Sequence, residues 1–264
     1  MLISCTSGVG IVANTHCLRF ALVGLVVLLA ITQPATADIA TNQQDAKALV
    51  ERLEKLYLKG PTPVFVLQLE KNTLPDAKLQ AFAMEQRLIN LSDLRSNALS
   101  LHRFGGRPGH NTRAFFTRIT TAEIQANTQL PNLIQALGIS PEQIAQYQPL
   151  AGAQAYPAYT TWLANYAEPA EIAAALLINF QSFGKNAARV AAALKQHKRL
   201  NNEQLRFLMT FSQLPEGFRE QAIEIIARGL ASGVRENDIA IRVRLIQSYE
   251  REFWRAFEVK LNAN

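Results

Sequence analysis

A glutamate set into an apolar helical stripe is the side chain of this sequence best placed to do chemistry. At about 100° per residue, the run from Ile239 to Leu261 aligns Ile239, Val243, Ile246, Phe253, Trp254, Phe257 and Leu261 on one face, with Glu250 among them. Glu252 points the other way, among Arg242, Arg244, Arg251 and Arg255. A carboxylate facing a core is costly unless it is paired, hydrogen-bonded or protonated. Glu250 is therefore either a satisfied structural acid or the floor of a site.

Other chemistries are thinly provided for. Of the histidines, His102 and His110 bracket a glycine-rich loop and His197 sits among cations at a helix end. None is spaced at i+3 or i+4 from a carboxylate on an apolar stripe, so neither a metal nor a heme is expected, and no other cofactor. No Gly-x-Ser-x-Gly turn is present for a serine nucleophile. The loop Gly105-Gly106-Arg107-Pro108-Gly109 follows nothing strand-like and is not read as a phosphate loop. The net charge of +6 is spread along the chain. Its densest cluster, Lys195, His197, Lys198 and Arg199, falls where cations complement a helix dipole, so no nucleic-acid partner is expected.

The elements that must position Glu250 read as helices. Thr41 caps a first helix carrying Leu49, Leu53 and Leu56, ended by Gly60-Pro61-Thr62-Pro63. Val64 to Leu69 fits a strand or a short helix equally well. Pro75 opens a long helix to about Arg103 with Leu79, Phe82, Met84, Leu88, Leu91 and Leu94. Further helices are expected from Phe115 to Leu137, after the capping box Ser140-Pro141-Glu142-Gln143, and from Tyr156 to Tyr166. Ala170 to His197 is dense in alanine, which lets neighbouring helices approach closely and marks a central element. Asn201-Asn202 caps Glu203 to Phe211, and Pro215 opens a helix through Ala231. The result is one all-α domain, a helical bundle of roughly eight to nine helices with short loops.

The N-terminus is laid out differently. Arg19 precedes an apolar run from Phe20 to Ile31, and Pro34-Ala35-Thr36-Ala37 supplies small residues before Asp38. The run is shorter than the roughly 20 residues a spanning helix wants. Residues 1–37 are thus expected to be a signal peptide or N-terminal hydrophobic anchor, and 38–264 an exported domain. If the leader stays attached, residues 20–31 tether the protein to a membrane. Both cysteines, Cys5 and Cys17, lie in the leader, so the mature chain has no disulfide and no thiolate nucleophile.

Three stretches resemble the TenA family, thiaminase II-like proteins of the heme-oxygenase-like helical fold. They are Ala158-Tyr159-Thr160-Thr161-Trp162, the run Glu171 to Phe180 (EIAAALLINF), and Ser248-Tyr249-Glu250-Arg251-Glu252-Phe253-Trp254. A fainter echo sits at Asn72-Thr73-Leu74-Pro75. The resemblance implies that Glu250 holds the position of the family's catalytic glutamate, while the nucleophilic cysteine is replaced by Asn179. The substrate-anchoring aspartate corresponds to Gln86, with Glu85 beside it, and a tyrosine one turn on corresponds to Ile89. Two pocket tyrosines correspond to Phe183 and Phe211. A third corresponds to Tyr159 across a short gap, or to Tyr156 without one. Asparagine is not a useful nucleophile, and phenylalanine keeps an aromatic wall without its hydroxyl.

These residues support three functional expectations. The first is a TenA-like protein with a degenerate site, binding a small heteroaromatic or apolar ligand without standard thiaminase activity. There Glu250 anchors the ligand, Tyr159, Asn179 and Gln86 add hydrogen bonds, and Phe183 and Phe211 form walls. The second is a cysteine-independent hydrolase of an aminopyrimidine or other thiamin-degradation product, with Glu250 as general acid–base, partnered by a residue such as Glu85. The third is a purely structural helical module. Self-association is a further expectation, since the catalytic family is tetrameric.

Overall fold

Proline, glycine and capping residues cut this chain into helices whose packing is best followed from the centre outward. The computed structural model describes residues 36–107 and 111–258, with side chains from Thr41 onward. The leader-like segment lies outside the described residues, apart from the beginning of the first helix. By contacts the chain divides at Pro34, and residues 34–264 form one compact unit. Its described residues form ten α-helices: α1 Thr36–Tyr57, α2 Val64–Glu70, α3 Asp76–Phe104, α4 Thr112–Ala136, α5 Pro141–Gln146, α6 Ala151–Tyr166, α7 Pro169–His197, α8 Arg206–Phe211, α9 Phe218–Ala231 and α10 Glu236–Ala256. No strand occurs among the described residues, and no described helix is long and apolar enough to cross a membrane.

The local signals account for most of the boundaries. Ser140 and Gln143 form the reciprocal capping box that starts α5, and Glu168 with Glu171 does the same for α7, where Pro169 takes the first turn. Gly217 adopts a left-handed conformation before α9. Asn201 accepts from the backbone N–H groups of Glu203 and Gln204, but this closes a turn, and the helix expected from Glu203 begins only at Arg206. One further expectation needs correction, and two open readings are resolved. The first helix begins at Thr36, so Thr41 lies inside it and not at its N-terminus. The ambiguous stretch from Val64 is helical, as α2, docking Phe65, Val66 and Leu69 against the bundle, and no strand is available for it to pair with among the described residues. In α3 the buried face runs through Leu79, Phe82, Gln86, Ile89, Asp93, Asn97, Ser100 and Phe104. Leu88 and Leu94 are only half-buried and Leu91 is 38% exposed. Following leucines alone traced the flank of α3, because its inner face is half polar.

Helix α7 is the axis. Ala170 and the run from Ile172 to Ile178 are buried in it, and it packs against α2, α8, α9 and α10. Gly184 marks a very close crossing. A Cβ there would stand 2.4 Å from the carbonyl oxygen of Phe211, so the end of α8 rests directly on the α7 backbone.

The apolar side chains gather in two clusters. The first holds Phe104, Phe116 and Ile119, residues 172–178 of α7, the inner face of α9, and Ile239 to Ile246 of α10. The second holds Phe65, Phe82 and Ile89, Ala126 to Leu133 of α4, Ala187 to Leu194 of α7, and Phe253 to Phe257 of α10. The long helices cross from one cluster to the other and carry buried polar residues at the crossing. These are Asp93 on α3, Glu123 on α4, Asn179 on α7 and Glu250 on α10. On α6 the crossing falls at Tyr156, which touches both clusters. The bundle therefore has a polar waist.

Candidate ligand-binding site

The waist encloses a chamber. Gln86, Ile89, Asn90 and Asp93 enter it from α3, Glu123 from α4, Tyr156 from α6, Asn179, Phe180 and Phe183 from α7, Phe211 from α8, and Glu250 and Phe253 from α10. About 40 Å³ is open to the centres of water-sized molecules. At roughly 10–15 Å³ per water this holds a few waters or a small organic group. One side is aromatic: Phe183 meets Phe211 edge-on at 5.9 Å and stacks on Trp254 at 6.0 Å.

Glu250 is 4% exposed and fully engaged. Its Oε1 accepts from the Ser182 hydroxyl at 3.1 Å and from the Trp254 indole N–H at 3.2 Å. Its Oε2 accepts from the Asn179 amide at 2.9 Å and from the Gln247 amide at 3.3 Å. Asn179 in turn accepts from the Tyr156 hydroxyl at 2.9 Å. Burial pushes the Glu250 carboxyl up to about 7, against the pull of these four donors. The carboxyl also borders an outer cleft with Ser182, Lys185, Gln247 and Arg251, so it separates the chamber from solvent. Such a group can hold or pass a proton near neutral pH, but its acceptor positions, about four in all, are already filled.

Of the residues singled out in the sequence, Gln86, Asn179, Phe183, Phe211 and Glu250 come together in the chamber, as does Ile89. Tyr159 does not. Its ring stacks on Trp162 at 5.7 Å and leans on Tyr249 at 5.0 Å, on the outer side of α6. Tyr156, three residues earlier and almost one turn back, takes the inward place. The chamber thus receives the tyrosine of the ungapped correspondence, and Tyr159, the expected ligand-binding residue, lies outside it. Glu85 is also outside. It is fully buried, but it faces the α5–α6 junction, accepting from the Tyr147 hydroxyl and the Leu150 backbone N–H, both at 2.6 Å, and from the Gln154 amide. It is a structural acid and no partner for Glu250.

Two acids of the chamber escaped the sequence reading. Asp93 is 8% exposed and accepts from the Thr160 hydroxyl at 2.6 Å. Glu123 is 4% exposed, and its Oε2 is buried without a hydrogen-bond partner. Burial raises the Asp93 carboxyl to about 7 against the pull of Thr160. Burial also raises Glu123 well above its usual range, and the charge of Asp93 adds to the rise. Tyr156 is held protonated by burial and by the fields of Asp93, Glu123 and Glu250. Glu123 could have been found, because it interrupts the stripe Phe116, Ile119, Ala126, Leu130, Leu133 as Glu250 interrupts its own. Among the described residues, no group of three or more His, Cys, Asp or Glu side chains could hold a metal.

This arrangement of ten helices around an internal chamber is a known one. Residues 61–258 match the model of the TENA/THI-4/PQQC family, and the chain belongs to that family. Its fold is that of solved TenA proteins. A TenA homologue from Pseudomonas syringae pv. tomato superposes with a TM-score of 0.62 at 16% identity, over 84% of this chain and 92% of the other. A TenA homologue from Pyrococcus furiosus does so with a TM-score of 0.58 at 18% identity, over 82% and 99%. A domain of unknown function with a heme oxygenase-like fold from Shewanella denitrificans gives 0.53 at 14% identity, over 82% and 94%. At these identities the likeness is one of fold. No curated protein matches the chain significantly.

Proposed function

We propose that this chain is a ligand-binding member of the family, whose waist chamber takes a small heteroaromatic or partly apolar molecule without standard thiaminase chemistry. The observation that carries the reading is Asn179. It corresponds to the family's nucleophile, yet it is an amide held from both sides, by the Tyr156 hydroxyl and the Glu250 carboxylate. An amide offers no electron pair comparable to a thiolate. Around it lie an aromatic wall and a small space lined by mostly buried residues, features that bind small ligands. The test is a thermal-shift series with aminopyrimidines and related heteroaromatics. At saturating ligand the wild type should gain several degrees, and Phe183→Ala should lose most of that gain. Absence of any ligand-dependent shift would overturn the reading.

A second reading, a cysteine-independent hydrolase, is favoured by one observation: the Glu250 carboxyl sits near 7, between chamber and cleft, where a general acid–base should be. It predicts ammonia release from an aminopyrimidine substrate that falls roughly 100-fold or more in Glu250→Gln. Release at the same rate in the variant would remove it. The leader-like N-terminus supports action outside the cytoplasm. N-terminal sequencing of the expressed mature protein should then begin near Asp38, and a start at Met1 with the protein in the cytosol would contradict this.

A further inference from the structure

The buried acids of this protein fall into two kinds. Those outside the chamber are answered by the protein itself: Glu171 by Arg242 at 2.8 Å, and Glu85 by its three donors. Inside the chamber, Glu250 has four donors. Asp93 has only the Thr160 hydroxyl, and the Oε2 of Glu123 has none. No lysine, arginine or histidine is among the residues that line this space. A separate group also stands unanswered. Asn90, on α3 one turn before Asp93, is 3% exposed and lines the chamber, and its Nδ2 has no acceptor.

A buried polar atom without a partner costs free energy that a bound molecule can recover. Here the unanswered groups are two carboxyls wanting donors and one amide wanting an acceptor. They adjoin phenylalanine faces at 180, 183 and 211, which attract cations and cover apolar bodies. We propose that Asp93, Glu123 and Asn90 form a subsite for a compact organic cation, a protonated amine or amidine with a hydrogen-bond acceptor beside its charge. This rests on the ligand-binding reading above and names the class of ligand. The amine supplies the donors and the missing counter-charge, and Asn90 Nδ2 donates to the neighbouring acceptor.

Protonation follows from the same groups. The titratable side chains facing the pair are Glu250 from α10 and Tyr156 from α6, with Thr160 as the neutral donor. None can neutralise two carboxylates. At neutral pH the empty pair retains a proton, since burial raises both carboxyls. An arriving cation favours the charged forms, so binding expels protons to solvent.

The experiment compares three probes of similar size by titration calorimetry on the full chain: 2-(aminomethyl)pyridine, benzylamine and the neutral benzyl alcohol. Both amines should bind roughly ten- to a hundredfold more tightly than the alcohol, the range expected of charge-assisted hydrogen bonds. The pyridine nitrogen should add to benzylamine's affinity. Measured near pH 6.5 in two buffers of different ionisation enthalpy, amine binding should release protons and alcohol binding none. Glu123→Gln and Asp93→Asn keep the shape of the chamber and remove its charge, and each should narrow the amine preference to about threefold or less. If the alcohol binds as tightly as the amines, the cation subsite is overturned while the binding chamber stands. Failure of all three probes to bind overturns the subsite, and failure of the aminopyrimidine series as well overturns the chamber. An unchanged amine preference in both variants would also refute the assignment.

Discussion

Glu250 and Glu123 occupy the same kind of place and meet different fates. Glu250 has four donors around it, and replacing it exposes what they cost. Glu250→Leu strands the Asn179, Ser182, Gln247 and Trp254 donors and should destabilise the fold by about 3–5 kcal/mol, whereas Glu250→Gln keeps most of its contacts and should cost about 1–2 kcal/mol. Urea unfolding of the two variants would separate these outcomes. For pH the sign is fixed by carboxyls raised above their unfolded values. Their stabilising contribution is complete below about pH 4 and is lost as pH rises through about 7, the folded-state value of Glu250 and Asp93. The melting temperature should therefore fall between pH 5 and pH 8, and Asp93→Asn or Glu123→Gln should flatten the fall. A profile as steep in both variants would mean that other groups govern it. Glu250 was legible because a motif drew attention to the stripe around it. Asp93 was hidden for a physical reason: the inner face of α3 alternates polar and apolar residues, so no apolar stripe existed for it to interrupt.

At the scale of elements, punctuation was legible and rotation was not. Ser140 and Glu168-Pro169 mark their helix starts through caps and proline chemistry acting within four residues. Which of Tyr156 and Tyr159 faces inward depends instead on how α6 packs between α3 and α10, which no local rule encodes. The α7–α8 crossing is likewise a property of packing. With Gly184 in contact with the carbonyl of Phe211, a single methyl group must lift α8 away from α7. Gly184→Ala should cost about 1–3 kcal/mol of stability, although alanine is the better helix former. It should also weaken binding of chamber ligands more than Ser212→Ala does, because Phe211 is displaced from the wall. Comparing melting temperatures and probe affinities of the two variants checks both statements.

For the whole molecule, the all-helical class was readable from composition and from the helix-start signals that recur along the chain. The division into two apolar clusters was not, because α3, α4, α6, α7 and α10 each contribute to both and each reads as one uneven stripe. That sharing has an energetic consequence. Helix α7 places Ile172–Ile178 in one cluster and Ala187–Leu194 in the other, so neither cluster survives loss of the other. Unfolding of the 34–264 unit should be a single transition, with far-UV and near-UV signals coinciding. Two separated transitions would contradict it.

The waist gives the protein room to change occupation without changing its frame. Asn90, Asp93 and Glu123 are flanked along their helices by apolar layers. They can be exchanged for other side chains of similar volume while those layers keep the helices in register. A lineage altering only this thin slice could move from one guest molecule to another, step by step, within one unchanging architecture.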